Sequence, residues 1–174
     1  MKKLGFLFAG LFIMALATQQ VKAQDGNGNS ATETADVKAT IIAPISIEKT
    51  ADLQFGKIVR STESGRVIIP AAENPTPIYQ GVVAFTTPGA VTAAQFTVTG
   101  EEGYTYAITL PDEVTLTSEG EGTMIVTNFT STPSEEGLLT EGTQDLLVGA
   151  TLTVEADQPS GEYVGEFEVT VAYN

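Results

Sequence analysis

The chain has 174 residues, with eight Lys or Arg against 22 Asp or Glu for a formal charge of −14, and it contains neither His nor Cys. Missing those two residue types excludes Ser/His/Asp and Cys/His nucleophilic catalysis and thiol redox chemistry. It also excludes zinc, haem or iron–sulfur sites built on such ligands. An acid excess of this size repels phosphate backbones and anionic headgroups, so nucleic acid and direct lipid binding are disfavoured.

At the start, Lys2 and Lys3 precede an apolar run over residues 4–17, and Val21, Lys22 and Ala23 follow as a small-x-Ala processing site. This is the pattern of a secretory signal peptide, residues 1–23, whose apolar run is shorter than the roughly 20 residues a permanent bilayer span needs. The exported chain is expected to begin at Gln24 as a soluble protein of the periplasm, outer surface or extracellular space. No cysteine stands there to carry a lipid anchor. Processing removes Lys2, Lys3 and Lys22, leaving five cations against 22 acids and a charge of −17. Those five, Lys38, Lys49, Lys57, Arg60 and Arg66, all precede Val67. The acidic remainder reads first as a solvated surface; the sharper reading is a cationic partner or bound divalent ions. The exported length suits one domain, and with no disulfide available packing and ladder hydrogen bonds must hold it.

Residues 24–35 are polar and rich in Gly, Asn and Thr, the composition of a flexible lead-in. A single domain is expected over residues 36–174. Period-two alternation begins with Val37, Ala39 and Ile41, breaks at Pro44 and resumes with Ile45 and Ile47, which predicts a first strand that switches sheets at the proline. Leu53, Phe55 and Ile58 around Gly56 predict a second strand, and residues 66–69, stopped by Pro70, a third. Residues 71–80, with Pro75 and Pro77, read as a connection. Residues 82–85 form a short apolar run. Phe96 and Val98 lead through Gly100 and Gly103 to Tyr104, Tyr106, Ile108 and Leu110, the pattern of a β-hairpin. Residues 114–116 and 124–129 flank a Gly-rich turn and predict a second hairpin. Residues 131–141 are polar apart from Leu138 and Leu139.

Leu146, Val148, Ala150, Leu152 and Val154 then make the strongest internal alternation. A turn with Pro159 and Gly161 leads into a last strand over residues 161–174, with Tyr163, Gly165, Phe167, Val169, Val171 and Tyr173 on its apolar side. Being joined by a turn, these last two strands are expected to pair antiparallel. The whole predicts an all-β, immunoglobulin-like Greek-key β-sandwich of two antiparallel sheets and nine or ten strands.

The acid pairs Glu101-Glu102, Asp112-Glu113, Glu119 with Glu121, and Glu135-Glu136 are the remaining candidates for chemistry. All fall in predicted turns, where solvent prevents one carboxyl from being raised by desolvation as a glycosidase acid must be. No stretch has the alternating Asp-x-Asp-x-Asp-Gly spacing of a calcium loop. Tyr104, Tyr106, Tyr163 and Tyr173 fall on predicted core faces, with their hydroxyls at the rim. No catalytic, cofactor-binding or metal-ligating residue is therefore assigned.

Residues 39–47 (ATIIAPISI), 51–56 (ADLQFG), 94–100 (AQFTVTG), 147–152 (LVGATL) and 161–174 (GEYVGEFEVTVAYN) resemble the bacterial domain of unknown function 4402 family. That resemblance implies the fold and export, and no activity. The same run of an opening strand, a Leu-x-Phe-Gly element and a closing Gly-x-Tyr strand is more distantly similar to spore-coat-protein-U-like and other chaperone-usher pilin subunits. Pro44 and Ile45 stand where those pilins usually carry a cysteine, and residues 24–34 lack their alternating donor extension. Strand donation here would have to use residues 36–47. The expectation is a non-enzymatic structural protein of a Gram-negative cell surface, pilin-like or surface-layer in kind, with itself or other surface proteins as partner. A glycan- or protein-binding adhesive module is the alternative.

Overall fold

The computed structural model describes residues 30–120 and 122–174. The expected signal peptide and the first residues of the lead-in lie outside them. Residues 30–39 belong to a separate unit from residues 40–174. They form no helix or strand, and every one of them is exposed.

Residues 40–174 are all-β, with twelve strands and, among the described residues, no helix. The spine is β11 (Thr143–Val154). Its alternation turns Leu146, Val148, Ala150, Leu152 and Val154 to one face, where none is more than 3 % exposed. Along one edge β11 pairs first with β6 (Ala94–Thr99) and then with β3 (Gly65–Ile69), while its other edge carries β9 (Thr123–Thr132). β1 (Ser46–Ala51) extends the sheet beyond β6, β4 (Ile78–Gln80) beyond β3, and β8 (Glu113–Thr117) beyond β9. The result is one curled antiparallel sheet of seven strands.

Gly149 sits where one edge of β11 changes partner. A Cβ there would meet backbone atoms of its neighbours, among them Ala71 N and Pro70 C at 2.6 Å. Only glycine lets the three strands close at that point.

A smaller sheet of β10 (Glu136–Leu138), β7 (Thr105–Thr109) and β12 (Thr170–Tyr173), in that order, covers the first half of β11. Its Tyr106 joins Ala94, Val98, Leu146, Val148 and Leu139 in one buried cluster. A second cluster, containing Val67, Ile69, Val126, Leu152 and Val154, lies under the other half. Leu53, Phe55, Ile58 and Tyr163 pack against it. Regular structure is sparse there: β2 (Ile58–Val59) and β5 (Val83–Ala84) form a two-stranded ribbon.

The predicted hairpin of residues 114–116 and 124–129 is present as β8 and β9. Six other expectations need correction. The alternating run from Val37 is unpaired until Ser46, so no strand switches sheets at Pro44. The segment around Gly56 is broken by that residue's left-handed backbone, φ 73°, into a bridge at Gln54 and the short β2. Residues 71–80 include β4. Residues 131–141 contribute the end of β9 and all of β10, with Leu139 fully buried.

The turn at residues 100–103 carries the chain from the large sheet to the small one, so β6 and β7 are not a hairpin. Nor do the last two strands pair: β12 lies on β7, because both edges of β11 are already occupied. The apolar face of the terminal segment nevertheless points inward as predicted, with Tyr163, Phe167, Val169, Val171 and Tyr173 all packed against the clusters.

Candidate functional site

The less regular half of the β domain contains a cavity of about 1240 Å³, lined by both covering segments and by the large sheet. Its floor is apolar and laid in tiers. Leu116 faces Met124 across β8 and β9, and one pair further along Val114, Val126 and Leu152 stand side by side on three strands. Phe129, Ala94 and Phe96 continue the floor toward the first half of β11. The first two tiers are two residues apart, the repeat of a strand face, and Phe129 follows Val126 by three across the bulge opposite Ala150.

One wall is the segment from Asp52 to Arg60. Its outer side is fixed: Gln54 exchanges backbone bonds of 2.9 and 3.1 Å with Thr92, Lys57 N donates to Pro88 O, and Phe85 N donates to Lys57 O. A Cβ on Gly56 would stand 2.7 Å from Pro88 O and 2.8 Å from Val91 Cγ2, so glycine lets this wall seat against residues 88–91. The other wall is residues 158–167. Val164 and Thr117 exchange two backbone bonds of 2.9 Å. Buried Gln158 donates to Thr123 O and to Tyr163 Oη, each at 2.9 Å, and Tyr163 Oη donates to Pro159 O at 2.7 Å. Phe167 wedges between Phe96 and Phe129, at ring-centroid distances of 6.3 and 5.2 Å.

Both walls are therefore held from outside, and their inner edges are bare. Among the described residues, Leu53, Phe55 and residues 165–169 make no backbone hydrogen bond. The two edges flank an apolar floor with no strand between them. Charge differs across the opening: Lys49, Lys57 and Arg60 line one wall, and Glu162 and Glu166 the other. Lys49 is bound to Asp52 at 2.6 Å. That carboxylate holds the Lys49 ammonium above its ordinary pKa of 10.5 by hydrogen bond and charge.

Residues 45–173 match the profile of a family described as Domain of unknown function (DUF4402). The chain belongs to that family. A search of curated proteins finds no match. The DUF4402 region runs from just ahead of β1 to the end of β12, and leaves residues 30–44 outside it.

The acid pairs of this DUF4402 domain do not converge. Glu101-Glu102 lies between β6 and β7, Asp112-Glu113 at the start of β8, Glu119 in the β8–β9 turn and Glu135-Glu136 at the start of β10. Glu121 lies outside the described residues. No group of three or more potential acidic ligands is placed to hold a metal ion among the described residues. Glu101 instead serves the fold, since its Oε2 accepts from Ala43 N at 2.8 Å. Tyr173 Oη accepts from Glu101 N at 2.6 Å and donates to Ala43 O at 2.9 Å.

Of the four tyrosines expected in the core, Tyr106 is fully buried and Tyr104 is 40 % exposed, packed edge-on against Tyr173. Sequence reasoning missed the cavity altogether. Its only traces in the sequence are Gly56 and Gly165, which lie on its two walls.

Proposed function

We propose that this protein is an exported, non-enzymatic structural subunit of a Gram-negative cell surface, pilin-like in kind. Its sandwich is finished by a strand supplied from outside the domain. The observation that carries this reading is the pair of bare backbone edges flanking a cavity of about 1240 Å³ with an apolar floor. Backbone N–H and C=O groups beside apolar side chains are costly to leave unpaired, and an added strand satisfies both edges while covering the floor. Assembly work of this kind needs none of the side chains that catalysis would require, and the scattered acids favour no reaction.

Hydrogen exchange on the exported chain, residues 24–174, tests the reading. Amides of Leu53, Phe55 and residues 165–169, unlike that of Gln54, should exchange rapidly in dilute protein and become protected when alternating apolar peptides are added or when the protein assembles. Full protection of both stretches in a dilute monomer would overturn the proposal, and so would the failure of every added strand to protect them.

A further inference from the structure

We infer that Lys49 decides which open edge of this domain takes a strand: its inward-facing charge keeps alternating apolar strands off β1 and leaves the cavity as the place where they add. The first half of this inference stands on β1 alone, and the second rests on the strand-acceptor reading above. Among the described residues the large sheet ends in three strands, β1, β4 and β8. β8 is closed on its outer side, where Thr117 bonds to Val164 and a Cβ on Gly165 would stand 2.9 Å from Thr115 O. β4 has only three residues and follows Pro77, so it offers little backbone for pairing. β1 has six residues, and among the described residues it pairs with β6 and with no other segment. The free N–H and C=O groups along its outer side are a template for a further strand.

Lys49 interrupts the face that such a strand would need. Ile47 stands opposite Val98 and Lys49 opposite Phe96, and residues opposite each other on antiparallel strands point to the same side. Val98 is fully buried, and Phe96 and Ile47 pack in the same cluster. The next inward position of β1 is therefore a cation. A strand added to the outer side of β1 would set its own inward side chain beside Lys49, as Phe96 stands on the inner side. An apolar side chain there strips water from the ammonium, and desolvating an ion against an apolar neighbour is costly. The ammonium is also held in place and held charged. Asp52 Oδ1 binds it at 2.6 Å and raises its pKa above 10.5, and the charge of Glu166 acts in the same sense. The ladder register shifts between Lys49 and Ala51, which bends the edge just past the charge.

The cavity presents the opposite surface. Its bare edges at Leu53, Phe55 and residues 165–169 flank a floor of Val114, Val126 and Leu152, and its charged side chains stand on the walls. An alternating apolar strand thus meets apolar side chains in the cavity and an ammonium at β1. Free backbone is present at both places, so the inward side chain at residue 49 sets the choice between them.

The experiment compares the exported wild-type chain, residues 24–174, with Lys49→Ile, Lys49→Val and Lys49→Glu. Each is followed in dilute solution by sedimentation and hydrogen exchange, with and without a synthetic peptide of about eight residues alternating Val with Ser. The Lys49 side chain is 60 % exposed, so all these variants should melt close to wild type, which is the folding control. In wild type the peptide should protect residues 165–169 and leave unchanged those β1 amides that β6 does not engage. In Lys49→Ile and Lys49→Val it should protect those β1 amides as well, and both variants should self-associate at least about tenfold more strongly than wild type. Lys49→Glu loses the pair with Asp52 yet keeps a charge facing inward, so it should behave as wild type does. β1 amides left unprotected in both neutral variants, with no gain in association, would overturn the role of Lys49 and leave the acceptor reading intact. Lys49→Glu that behaved like Lys49→Ile would overturn it too, by tracing the effect to the ion pair, and so would protection of β1 in wild type. Protection of β1 in the neutral variants, with none at residues 165–169 in any protein, would uphold Lys49 as the determinant at β1 and remove the cavity as acceptor.

Discussion

The inner face of the large sheet is covered in two different ways. Over the first half of β11 the cover is a hydrogen-bonded sheet, β10–β7–β12, whose Tyr106 is fully buried against Leu146 and Val148. Over the second half the cover is two separate segments, each tied to the large sheet or to its own ribbon and neither tied to the other. Burying side chains and pairing backbones are thus separable requirements. The second half meets the first requirement in large part, through Leu53, Phe55, Ile58 and Tyr163, and leaves the second unmet. Under the proposed function, that unmet requirement is what an added strand satisfies.

The comparison breaks most severely at Gly149, where the halves join. Gly149→Val would drive a branched side chain into the backbone of residues 69–71. The expected loss is about 4 kcal/mol or more, enough to unfold a marginal domain. Circular dichroism and thermal melting measure it, and a variant with wild-type melting would show that the junction tolerates a side chain.

The next test sets one half against the other. Leu146→Ala empties a fully buried site in the closed half and should cost about 3 kcal/mol in urea denaturation. Phe55→Ala removes a larger side chain from the open half, yet Phe55 is only partly buried and borders existing space, so the monomer should lose about 1–2 kcal/mol. If the bigger truncation proved the costlier in dilute monomer, the open half would be as tightly packed as the closed one.

Tyr106 sharpens the contrast through pH. Its hydroxyl donates to Gln144 Oε1 at 2.9 Å, which also accepts from Leu138 N at 2.9 Å. Burial raises the Tyr106 pKa above its ordinary 10.0. Once pH passes the ordinary value, the unfolded chain releases this proton while the folded chain retains it, so stability falls as pH rises through that range. Tyr106→Phe should cost about 1 kcal/mol near neutrality, by loss of one hydrogen bond, and should flatten the alkaline fall. An unchanged alkaline slope in the variant would assign the fall to other groups.

How much of this was legible in the sequence depends on whether a feature lives in side chains or in backbone edges. The five alternating residues from Leu146 to Val154 marked out β11, and the Gly-rich stretch between Leu116 and Met124 marked the hairpin of β8 and β9. The inward face of residues 163–173 was equally plain. Its partner was not, because a period-two pattern says which side of a strand is apolar and nothing about which edge bonds to which neighbour. Pro159 and Gly161 suggested a hairpin with β11. That strand was already paired on both sides by β6, β3 and β9. Val37, Ala39 and Ile41 read as a strand for the same reason, yet no ladder engages them among the described residues. The cavity was illegible because it lies between two backbone edges, and a period-two pattern does not report which edges stay unpaired.

The smallest expected effect concerns how residue 43 is held just ahead of β1. Tyr173→Phe keeps the ring against Tyr104 and deletes a hydroxyl that accepts from Glu101 N and donates to Ala43 O. Water can replace both partners at this half-exposed site, so the stability loss should be about 0.5–1 kcal/mol. The exchange pattern is more telling. Glu101 N loses its acceptor and should exchange about tenfold faster, whereas Ala43 N keeps the Glu101 carboxylate at 2.8 Å and should change little. Loosening of both amides together would mean that the Tyr173 hydroxyl positions the Glu101 side chain as well as its backbone, making the clamp a single cooperative unit. Loosening of the Glu101 amide alone would leave the carboxylate as an independent tether, sufficient by itself to hold residue 43 at the turn between β6 and β7.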